Sequence, residues 1–145
     1  LTPQYDELIA VLEKEFELCT QMVALLQKEK DVIVSLDPES LEQLLREKEM
    51  VISGIRFCDE SRERILASLG FADRTLSEVA QVAEDDYREQ LTGLASKFRA
   101  IVSSISELNR FNSMLIDKSL QYVKTSFNFL DSLGIQPQRK VSVEA

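Results

Sequence analysis

Lys48 and Arg62 are the first residues in this chain that could do chemistry. They lie 14 residues apart, on one face of a stretch whose other inward positions are apolar. Two uses fit such cations. Their aliphatic stems can snorkel past an apolar seam and pair with acids on a neighbouring helix. Alternatively, they can grip an anion between helices, as an all-α mutase would hold a dicarboxylate. The second use needs partners that the chain does not offer. The N-terminal stretch carries lysines but no arginine, and no nucleophile–base pair is visible. Histidine is absent, which excludes imidazole acid/base catalysis, phosphohistidine transfer and histidine metal sites. The carboxylates fall mainly on faces that read as solvated. Cys19 and Cys58 are far apart in sequence and sit among apolar residues, as small core residues do. These features predict a non-enzyme with no catalytic residue, cofactor or metal.

The 145 residues suffice for one domain with a modest core. Apolar residues make up 44% and charged residues 29%, an ordinary balance for a soluble domain. A net charge of −8 repels nucleic-acid phosphates and anionic membrane surfaces. No apolar run approaches the roughly 20 residues that span a bilayer. No signal peptide is visible, although the chain opens on Leu1 rather than Met. Two cysteines are too few for the disulfide framework of a small secreted protein, so a reducing cytosol is the expected compartment.

Long helices must position these residues, because Pro (3) and Gly (4) are too scarce to build many turns. Thr2-Pro3 reads as a helix start, with Thr as N-cap and Pro at the first position. Apolar residues then recur at helical period from Tyr5 to Ile33. Asp37-Pro38 repeats the start signal, so one helix ends near Ser35 and a second runs from Pro38 to Leu69-Gly70-Phe71. Gly takes the left-handed cap there, and the apolar residue after it folds back. The short connection makes the two an antiparallel hairpin. Thr75-Leu76-Ser77-Glu78 fits a capping box for a short helix. The last helix starts near Glu84-Asp85-Asp86 and continues to Ser132-Leu133-Gly134. The predicted fold is all-α: an antiparallel three-helix, coiled-coil-like bundle of long helices, with a short extra helix before the last. Residues 1–134 form the domain, and residues 135–145, "IQPQRKVSVEA", are expected to be a disordered C-terminal tail.

The last helix carries a heptad seam, unbroken in register, that is fully apolar at Leu91, Leu94, Phe98, Ile101, Ile105 and Leu108 and continues through Asn112, Leu115, Ser119, Tyr122, Ser126 and Phe129 to Leu133. Downstream, Asn112, Ser119 and Ser126 occupy one heptad position three times running, while a neighbouring row turns apolar at Ile116, Leu120, Val123, Phe127 and Leu130. The upstream half therefore has one seam, and the downstream half a wider, rotated apolar face. The first two helices measure roughly 45–50 Å and the last roughly 70 Å. The hairpin should reach to about residue 116, and the widened stretch should project beyond it as an interaction surface. The alternative is ordinary core. Asn112 reads either as a buried polar residue that fixes register or as a direct partner contact. In the first case Asn112→Leu should raise stability while loosening specificity.

The stretches "LIAVLEKEFELCTQMVALLQKEKDVIVSLD", "LEQLLREKEMVISGI" and, most characteristically, "LNRFNSMLIDKSLQYV" carry a resemblance. From residue 5 to residue 133 the chain resembles the FlgN-like family of flagellar type III export chaperones. The resemblance implies a small cytosolic chaperone that binds hook–filament junction proteins through their terminal helical segments. It would prevent premature assembly and help deliver them to the membrane export gate, whose cytoplasmic domain is a further expected partner. It places contact with cargo or gate on the last helix, including Tyr122; together with the widened row this makes Asn112, Leu115, Ile116, Leu120, Tyr122, Val123, Phe127 and Leu130 the candidate partner-binding residues. No nucleic acid and no membrane insertion are expected, and the protein should be a monomer or weak dimer. Two other classes stay open: a structural coiled-coil protein that dimerises through the last helix without a client, and the all-α enzyme.

Overall fold

The structure, a computed structural model, describes residues 2–134. The expected tail lies outside the described residues. Four helices follow in order: α1 (Thr2–Ser35), α2 (Pro38–Ser68), α3 (Leu76–Val82) and α4 (Asp85–Ser132). The all-α bundle with a short helix before the last is the architecture that the periodicity predicted. Thr2 already belongs to α1, one residue ahead of the Pro3 start.

The connections obey local chemistry. Asp37 caps α2, its carboxylate accepting from the Glu39 N–H at 3.2 Å and from the Ser40 hydroxyl at 2.7 Å. At the other end Gly70 adopts φ +81°. Its N–H donates to the Ala67 carbonyl at 3.0 Å, and the Phe71 N–H to the Leu66 carbonyl at 2.8 Å. This is a full Schellman stop, and Phe71 packs back against the core beneath it. Thr75 caps α3 by accepting from the Glu78 N–H at 3.2 Å. Between α1 and α2 the turn is tighter and less comfortable, for Leu36 takes the left-handed conformation with φ 56°.

α1 is the middle helix. It packs antiparallel on α2 and parallel to α4, and among the described residues no Cα of α2 comes within 8 Å of one in α4. The ring pairs Tyr5–Tyr87, stacked at 5.0 Å, and Phe16–Phe98, edge-on at 5.8 Å, hold α1 and α4 in a single register. The main core lies at the end where α3 crosses. Leu8, Leu12, Val79 and Leu91 are almost fully buried there, with Tyr5, Ile9, Leu66, Ala80, Ala83 and Leu94 around them. A second, smaller core of Met22, Leu26 and Val51 continues toward the hairpin turn.

Candidate partner-binding site

The cations that the sequence singles out are structural. Lys48 Nζ lies 2.8 Å from Glu29 Oε2, and Arg62 Nη1 lies 2.5 Å from Glu15 Oε1. Arg62 also pairs with Asp59 one turn back. Both acids are 5% exposed, so the expectation of carboxylates mainly on solvated faces fails at these two. They escaped notice because α1 carries many acids, and only the packed α2 reveals which of them face cations. Glu15 and Glu29 are spaced like Arg62 and Lys48, so two ion pairs repeat along one antiparallel interface. Burial pushes the Glu15 carboxyl above its ordinary value; Arg62 opposes this and Asp59 adds to it. Cys19 and Cys58 are free and buried. Burial first and Glu15 second raise both thiols, which makes them poor nucleophiles. Among the described residues no group of acids and thiols could hold a metal, and no helix is long and apolar enough to cross a membrane.

Asn112 joins the same polar layer from α4. It is 2% exposed. Its Nδ2 donates to the Leu26 carbonyl and to Glu29 Oε1, both at 2.9 Å. Asn112, Glu29 and Lys48 thus tie α4, α1 and α2 together across one level of the bundle. Asn112 Oδ1 is buried without a hydrogen-bond partner. The side chain therefore faces α1 in the single chain, as a buried polar residue that fixes register would.

The other seven candidates lie on the last five turns of α4. Leu115, Val123, Phe127 and Leu130 are half-buried, and Ile116, Leu120 and Tyr122 are exposed. The hairpin reaches further than helix length alone predicted. Its turn residues Val32, Ile33, Leu36, Pro38 and Leu41 form a cleft of about 310 Å³ with Ile116, Ser119, Leu120 and Val123, walled almost wholly by apolar groups. The row from Ile116 to Leu130 is consequently split. Its first half borders the hairpin tip, and only the part after Val123 runs past it. The partner-contact candidates left out Phe111, Met114 and Phe129 on the same helix and its cap residue Leu133, which are 46–62% exposed, although Phe129 and Leu133 stand on the heptad seam. The signal was available as a spacing of 18 residues, five helical turns, between Phe111 and Phe129.

The bundle thus pairs its inner cations with acids of α1, and its longest helix carries half-buried and exposed apolar residues toward its end. The profile described as FlgN protein matches residues 4–136, nearly the whole chain. The protein belongs to the FlgN family, and its general role is that of a flagellar export chaperone. No curated protein and no solved structure gives a significant match.

Proposed function

We propose that this chain is a cytosolic chaperone for hook–filament junction proteins, taking up their terminal helical segments on the distal part of α4. The observation that carries the reading is the apolar row Ile116, Leu120, Val123, Phe127 and Leu130, set beside an open apolar cleft at the hairpin tip. An amphipathic segment that is disordered before assembly can lay its apolar face along such a row, and it loses chain entropy in ordering. Covering that segment prevents its premature association and leaves the complex competent for delivery to the export gate. Tyr122 is 71% exposed and stands off the row, which suits contact with the gate rather than with cargo. Affinity is moderate, since cargo must be released.

Co-purification with candidate junction proteins tests the reading. Leu120→Asp and Phe127→Asp should each abolish cargo capture in a folded protein, because a carboxylate would enter an apolar contact without a counter-ion. Capture that survives both substitutions would remove the row from the binding site.

A further inference from the structure

Arg110, Asp117, Lys124 and Asp131 stand at intervals of seven along α4. All four are exposed. They form one stripe that flanks the apolar row on the side away from α1, whereas the opposite flank carries Asn112, Ser119 and Ser126. In heptad terms the row supplies the two core positions, and the charges occupy one of the two flanking positions that set partner choice and orientation.

We infer that this face pairs with a second copy of the same chain, antiparallel, about a two-fold axis between Gln121 and Tyr122. In that register Leu120 meets Val123 of the second copy and Ile116 meets Phe127. Asp117 then faces Lys124 of the second copy, and Arg110 faces Asp131. The two-fold axis repeats each contact, as an isologous interface requires. Every flanking pair is attractive, and no like charges are opposed. The uncharged opposite flank adds no conflict, for Ser119 lies across from Ser126. A parallel arrangement loses this match, because the charged flank would then face the flank of Asn112, Ser119 and Ser126. The cleft beside Ile116 and Leu120 receives apolar side chains of the second copy, and these two residues, 41% and 39% exposed in the single chain, become covered.

The contact spans some three turns on each side of the axis, so the dimer is weak and dissociates on dilution. It covers the row that the proposed client would use, and so protects that face while the chain is empty. The self-association itself does not depend on the client reading.

Sedimentation equilibrium of the full chain, without any client, tests the inference up to about 0.5 mM. A monomer–dimer equilibrium that weakens with added salt is expected. Asp117→Lys and Lys124→Asp should each weaken dimerisation about tenfold or more, since each turns two attractions into repulsions. Mixing these two variants should restore a dimer, because both 117/124 pairs then set Lys opposite Asp and both Arg110–Asp131 pairs are unchanged. The double reversal, Asp117→Lys with Lys124→Asp, should restore it as well. The stripe is exposed, so helicity and melting should be unchanged in every variant. A strictly monomeric wild type overturns the inference. So does a dimer indifferent to the reversals, which would use another surface, and so does failure of the mixture to associate. Loss of cargo capture with the charge-reversal pattern intact would sink the proposed function and leave this inference standing.

Discussion

The two ends of the bundle are built to different standards. At the α3 end, α2 stops at Gly70 and α3 starts on Thr75, α3 packs into the core, and Leu8, Leu12, Val79 and Leu91 are almost fully buried. At the hairpin end the core narrows to Met22, Leu26 and Val51, and beyond it lie a polar layer, a cleft and a turn with leucine in a conformation that favours glycine. The first end holds the fold. The second divides its burial between Leu26, Leu44 and the Asn112 layer and leaves an open cleft beside them.

Phe98→Asp and Leu120→Asp break this comparison most sharply. Phe98 packs edge-on to Phe16 and against the main core. A carboxylate there has no cation to meet inside that cluster, and the loss of the ring adds a cavity. Destabilisation of roughly 3–5 kcal/mol, enough to unfold a small domain, is expected. Leu120→Asp points into an open cleft and should change stability by less than about 0.5 kcal/mol. Urea unfolding monitored by circular dichroism measures both. Equal losses would make the distal row ordinary core.

Asn112→Leu addresses the layer between the two ends. Register-fixing alone would make the leucine variant more stable. The hydrogen bonds reverse that expectation, since Nδ2 serves the buried carboxylate of Glu29 as well as the Leu26 carbonyl. Leucine leaves Glu29 with Lys48 only, and a loss of about 1–3 kcal/mol follows. Replacing the whole layer, Asn112→Leu with Glu29→Leu and Lys48→Met, should recover most of it, because an apolar layer of similar volume needs no pairing. A triple variant no better than the single one would mean that the layer holds the helices by shape rather than by charge.

What the sequence made legible follows from distance along the chain. Helix ends at Ser35, Pro38 and Gly70 were readable because capping is a matter of neighbours. The α4 seam was readable because one period governs it. Lys48 and Arg62 announced a pairing, but their acids could be named only after the register of α1 against α2 was known, and that register is a property of two segments together. The reach of the hairpin was underestimated for a similar reason: counting helix length ignores the turn residues Leu36 and Pro38, whose side chains extend the cover to Val123. Asn112 was visible as an exception on an apolar seam, yet its direction was not, because an amide serves a neighbouring helix or a visiting one equally well.

A smaller effect is expected from pH at Glu15. Its carboxyl titrates above the ordinary 4.5 in the folded chain, chiefly through burial. The folded state therefore binds this proton more tightly than the unfolded one. The resulting stability is fully present below the ordinary value and is lost as pH rises through the raised one. Glu15→Gln removes that dependence. Relative to wild type, the glutamine variant should gain stability as pH climbs from 4.5 upward, while Arg62 keeps Asp59 as a partner. Urea titrations at several pH values measure the difference. A wild type that instead gains on the variant over this range would show that Arg62 outweighs burial.

The smallest change tests the turn itself. α2 and α4 are followed by glycines at φ +81°, whereas α1 is followed by Leu36 at φ 56°. For a residue with a Cβ, that conformation costs roughly 1–2 kcal/mol, which glycine avoids at the expense of greater freedom in the unfolded chain. Leu36 is 60% exposed, so little apolar burial is lost on its removal. Leu36→Gly should therefore raise stability by about 0.5 kcal/mol. Asp73, at φ 63°, is the comparison: aspartate tolerates the left-handed region, so Asp73→Gly should gain nothing. Thermal melts of the two variants against wild type read the contrast directly. If Leu36→Gly lowers the melting temperature, the side chain stabilises the cleft by more than its backbone strain costs. The cleft at the hairpin tip would then be held by Leu36 itself rather than left open beside a strained turn.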